Sequence, residues 1–63
     1  MAQLFPPTLQ EEIACIEREL KLRYRVYPDR VQQRAMTRQR AEREIETMQA
    51  VHRRLVKLAE GEP

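Results

Sequence analysis

His52 and Cys15 are the only histidine and the only cysteine in the chain, so they are its whole supply of imidazole and thiol chemistry. A zinc site takes three or four ligands, and one Cys with one His cannot assemble the usual sets, so no metal and no other cofactor is expected. Nucleophilic catalysis would need a base within hydrogen-bond reach of the thiol. The helix register derived below puts Cys15 and His52 on different faces, which argues against that dyad. Glu11-Glu12 and the series Glu42, Glu44 and Glu46 read as solvated helix faces, and the chain has neither a glycine-rich phosphate loop nor an HExxH run. A non-enzymatic protein without a small-molecule substrate is the expectation.

The arginines are the other chemically marked group. Ten of the twelve basic residues are arginine, whose planar fork suits carboxylates and phosphates. The net charge of +2 says little, but its distribution says more. Residues 18–43 carry a surplus of six positive charges, while the segments before and after are net acidic by three and by one. Arg30, Arg34, Arg38, Arg40 and Arg43 cluster in the middle of the chain, and they are the candidates for contact with an anion or an acidic partner. Nucleic acid is the alternative ligand, although interleaved aromatics and a recognition helix are missing.

With 63 residues, 41% of them apolar, one small domain is the upper limit. A 35% charged content, a single glycine and no tryptophan are the composition of exposed helices. A lone cysteine excludes an intrachain disulfide and suits a reducing cytoplasm. Neither a signal peptide nor a run of about 18 apolar residues is apparent, so a cytoplasmic protein without membrane contact is expected.

Thr8 with Glu11 forms the pattern of a capping box after Pro6-Pro7, which starts the first helix at Leu9. Leu9, Ile13, Ile16, Leu20, Tyr24 and Tyr27 then recur at spacings of 4, 3, 4, 4 and 3, one stripe of an α-helix. Pro28 interrupts it. Either the helix kinks near residues 26–28, or it stops at Tyr27 and restarts at Pro28. Val31 prolongs the stripe, which favours a kinked helix over about 9–34. Thr37 is the best N-cap for a second helix over about 38–60, with Ala41, Ile45, Met48, His52, Leu55 and Ala59 on its stripe. Gly61 stands where a left-handed cap would end it. The domain plan is an N-terminal arm over 1–8, a hairpin over 9–60 and a tail over 61–63.

A short turn between two long helices makes them antiparallel. Ile13 should then meet Leu58, Ile16 meet Leu55, Leu20 lie near His52, Tyr24 near Met48 and Tyr27 near Ile45. His52 would be a partly buried imidazole bonded to a tyrosine hydroxyl, a carboxylate or water, with Tyr24 the nearest phenol. One hairpin cannot cover every apolar side chain. Cys15, Leu22 and Val26 make a second line on the first helix, and Val51, Leu55, Val56 and Leu58 widen the face of the second. Burial of each such side chain contributes about 1.5–3 kcal/mol, enough to favour a two-fold homodimer that closes a four-helix bundle.

The residues Val26-Tyr27-Pro28, Met36-Thr37, and Ala41 with Glu44-Ile45 and Met48 resemble a pattern in short helical chains from phage and prophage regions of proteobacterial genomes. The resemblance covers residues 12–55. Those chains commonly carry glycine in the turn and arginine before the Met-Thr pair; Ala35 stands there in this sequence. The family has no assigned activity, so the resemblance implies a helical hairpin in a phage-type setting and gives no site residues. An accessory protein is expected, binding a host or phage protein through its apolar seam or its arginine-rich turn end.

Overall fold

The computed structural model describes residues 5–61; residues 1–4 of the expected arm and 62–63 of the expected tail lie outside the described residues. Two α-helices make up the fold, α1 over Leu9–Gln32 and α2 over Arg38–Glu60, and they pack against each other as an antiparallel hairpin. Each starts at a threonine in extended conformation. At Thr8 the box is complete: the Glu11 N–H donates to Thr8 Oγ1 at 3.1 Å, and the Thr8 N–H donates to Glu11 Oε1 at 2.9 Å. At Thr37 only half of it exists, because the third helical residue is Arg40, whose N–H donates to Thr37 Oγ1 at 3.1 Å while its side chain has nothing to accept with.

Pro28 lies inside α1, so the helix continues through it and the break at Tyr27 does not occur. Proline has no N–H to return to the carbonyl four residues earlier, so Tyr24 loses one intrahelical partner. The first helix ends at Gln32 rather than near Arg34. Arg34 is the residue that stops it, with φ at +62°, the only non-glycine residue with positive φ among those described. Its N–H reaches the Val31 carbonyl at 3.1 Å, and the Ala35 N–H reaches back to the Arg30 carbonyl at 2.9 Å. This pair of bonds is the left-handed C-terminal cap, which normally selects glycine at the position Arg34 holds. Gly61 does not form such a cap. It is right-handed, with φ at −84°, and its N–H bonds the Lys57 and Leu58 carbonyls as a continuation of α2.

The interface between the helices is narrow. Leu20 and Ala41, at 8% and 6% exposure, are the only buried hydrophobic residues among those described. Ile13, Ile16, Tyr27, Val31, Ile45, Met48 and Leu55 are half-buried around them. Tyr24, expected on the core stripe, is 49% exposed and sits at its edge. Leu20 and His52 border one recess, and Tyr27 and Ile45 border another, as the antiparallel register requires. The chain leaves 5757 Å² in solvent, whereas a compact monomer of this mass would leave roughly 4300 Å². The radius of gyration, 14.7 Å, compares with about 11 Å for a compact chain of this length.

Two outcomes follow from the helix ends. Arg34→Gly removes the left-handed penalty on a side chain and should raise stability by about 0.5–1 kcal/mol in urea denaturation at fixed protein concentration, while Arg34→Val should lower it. A loss of stability in the glycine variant would contradict the cap. The Glu11 carboxyl is held below its ordinary range, first by the Thr8 N–H and then by the Thr8 side chain. A depressed carboxylate stabilises the fold above its unfolded pKa, and that contribution goes as pH falls through the lowered value. Amide protection in the first turn of α1, taken relative to the intrinsic exchange rate at each pH, should therefore fall below about pH 4, and less steeply in Glu11→Gln.

Candidate functional site

The rotation of the two helices about their axes is fixed by Arg23. Its Nε donates to Glu19 Oε1 at 3.0 Å within α1, and its Nη1 donates across to the Glu44 carbonyl at 3.2 Å, with Glu44 Oε1 at 3.8 Å. The guanidinium also lies over the Tyr27 ring, 5.7 Å from its centre. With its side chain only 17% exposed, this arginine keeps the flank of α1 that carries Glu19 on the same side as the flank of α2 that carries Glu44.

That alignment sets which apolar side chains share a face. Val51 and Leu58 follow Glu44 at successive steps of seven, so they stand on its line. Val26 lies three residues from Arg23 and Leu22 three from Glu19; Cys15 lies four before Glu19. Leu22 and Val26 border one recess together with Arg23, Tyr27, Arg30 and Met36. Leu55 lies beside this line at the edge of the interhelical contact. Six of the seven expected interface residues, Cys15, Leu22, Val26, Val51, Leu55 and Leu58, therefore gather on one face. The seventh does not. Val56 is four residues from His52 and turns to the opposite flank. Leu58 and Leu22 are 60% and 43% exposed on their face, and Cys15 is exposed there too.

The opposite face is polar. His52 Nε2 lies 3.0 Å from Glu17 Oε2, so of the partners open to the imidazole it is a carboxylate that meets it. The Tyr24 hydroxyl instead accepts a 2.8 Å bond from Gln49 Nε2. Lys21 and Arg53 border the same recess. Cys15 precedes Glu17 by two residues and points to the other side of α1, so thiol and imidazole have no common site. Among the described residues no group of three or more His, Cys, Asp or Glu is placed to hold a metal ion, and no helix is long and apolar enough to cross a membrane.

The five expected arginines divide in three. Arg34, Arg38 and Arg40 border one recess at the turn end, with Met36 and Val31 as its apolar floor. Arg30 opens onto the apolar face. Arg43 follows buried Ala41 by two residues and so lies on the outer side of α2. None of the five forms an ion pair among the described residues. The residues that sequence reasoning passed over are Glu44 and Met36. Glu19 and Arg23 are legible as an i,i+4 pair, but the cross-helix reach of Arg23 has no local signal.

Arg23→Lys keeps the charge and loses the fork that serves both helices; it should cost about 1 kcal/mol of stability, and Arg23→Ala about 1.5–3 kcal/mol, in denaturation at one protein concentration. Equal stability of all three proteins would show that the clasp does not hold the helices in rotation. No family model, no curated protein and no solved structure matches the chain.

Proposed function

We propose that the chain is a small, non-enzymatic, phage-type accessory protein of the cytoplasm, which works by binding protein. Its apolar face takes up a second copy to close a four-helix bundle, and its arginine-bearing turn end is offered to an acidic surface of a host or phage protein. The observation that carries this reading is the scarcity of buried side chains: among the described residues only Leu20 and Ala41 are buried. A chain this short rarely draws more than about 3–5 kcal/mol from a full core of its own, and this one has less than a full core.

The areas agree with a second copy. The surface in excess of a compact monomer is about 1500 Å² per chain. A standard interface buries about 800 Å² per partner, and obligate dimers bury more. Of the exposed large apolar side chains, Leu22, Val51 and Leu58 share one face, while Tyr24 stands on the polar flank and Phe5 precedes α1; a shared face of this kind is the distribution that marks an interaction site.

A second reading, a hairpin that grips nucleic acid, is favoured by one observation: Arg34, Arg38 and Arg40 converge on one recess without carboxylate partners. Phosphate binding of that kind weakens steeply with salt. No mobility shift with RNA or DNA at low salt would remove it.

Sedimentation equilibrium over a concentration series tests the main reading. A dimer at micromolar concentration is expected, and Val51→Glu or Leu22→Glu, each placing a charge in the covered face, should shift the protein to monomer and lower its thermal midpoint. A well-folded wild-type monomer throughout the series would overturn it.

A further inference from the structure

The flank of α1 that borders the apolar face carries a charge pattern whose outer members, Glu12 and Arg30, form no ion pair among the described residues. Glu12, Glu19, Arg23 and Arg30 follow one another at spacings of seven, four and seven. Steps of seven and four return to the same side of a helix, so the four form one line. Glu19, Arg23 and Arg30 indeed border the same recess as Leu22 and Val26. The line is acidic in its first half and basic in its second, and it is symmetric about Lys21. Arg23 and Glu19 pair with each other. Glu12 and Arg30 cannot, because they are 18 residues apart on one rod, about 27 Å.

We propose that the second copy docks with its turn at the opposite end, so that α1 lies antiparallel on the α1 of its mate about a two-fold axis near Lys21. This rests on the self-association proposed above and specifies its geometry. A line that reads acid, acid, base, base is complementary to itself when reversed: Arg30 of each copy comes to the level of the other's Glu12, and Arg23 to the level of the other's Glu19. Leu22 of each copy then lies within about 3 Å, along the axis, of its counterpart, Val26 comes to the level of the other's Cys15, and the charged residues flank these apolar contacts.

The competing two-fold arrangement places both turns at the same end, with α1 over the α2 of the second copy. Arg40, one turn before Glu44, lies on the matching flank of α2. Arg30 would then face the second copy's Arg40, both beside a turn, and two further arginines would be close. Like charges brought together in this way are costly and select against that pairing. The segregation of charge along the whole rod acts in the same direction, since the turn half is basic and the open half acidic.

Because Glu12 and Arg30 are out of reach of each other in one chain, any coupling between them is intermolecular. Arg30→Glu and Glu12→Arg should each weaken the dimer, by roughly five- to tenfold in sedimentation equilibrium at low salt. The double variant should recover most of that loss. A nitroxide at Gln33→Cys, in a Cys15→Ala background, reads the geometry directly by pulsed electron paramagnetic resonance. Opposite turns place the two labels about 35 Å apart or more, and turns at one end place them within about 20 Å. A dimer with the short distance, or a double variant weaker than either single one, overturns the antiparallel docking alone. Monomers at every concentration overturn the self-association on which it rests.

Discussion

Two rods laid side by side can shelter only the line along which they touch. This constraint governs the molecule. Helices of 24 and 23 residues have enough apolar side chains for a wide stripe each, yet among the described residues the hairpin fully buries only Leu20 and Ala41. Everything beside that line remains in contact with water on one flank. The short turn imposes the arrangement, because it fixes the helices as neighbours and provides no third element to cover them.

Within this constraint the polar contacts determine which flank stays apolar. Arg23 ties Glu19 to Glu44 on one side, and His52 with Glu17 and Gln49 with Tyr24 bridge the other. These bonds are individually modest, and surface pairs contribute about 1 kcal/mol or less. Their effect is on rotation. Three cross-helix bridges permit one relative setting of the helices, and in that setting Leu22, Val26, Val51 and Leu58 all face the same way. Aligned, these residues form a surface; with either helix turned by a third of a revolution, they would be isolated exposed side chains.

The helical plan was legible because its signals are local. Thr8 with Glu11, and Thr37 before the second apolar repeat, announce helix starts through bonds that span three residues. The period of the stripe gives Leu20 and Ala41 their inward positions. What escaped was non-local or contrary to propensity. Gly61 is the only glycine, so a left-handed cap was expected there, while the cap formed at Arg34, where the needs of the turn overrode residue preference. Tyr24 appeared to share the core stripe and to reach His52; its place at the edge gives it to Gln49, and Glu17 takes the imidazole. Val56 counted as apolar in the sequence, but on α2 its offsets of five residues from Val51 and two from Leu58 turn it away from both, a spacing already legible in the sequence. For the arginines the sequence supplied a cluster in one dimension, which the fold distributes between the turn end, the apolar face and the outer side of α2.

The reversal between α1 and α2 is closed by main-chain bonds, from Gln33 to Asp29, Arg34 to Val31 and Ala35 to Arg30. The side chains of Gln33 and Ala35 are exposed and take no part in closing the bend, whereas Arg34 holds the left-handed position on which the cap depends. Mutational drift at Gln33 and Ala35 that keeps their main-chain N–H groups is thus decoupled from the architecture of the rods. Natural variation, or a laboratory graft, can rewrite the chemistry displayed at that end while the scaffold beneath it is inherited unchanged.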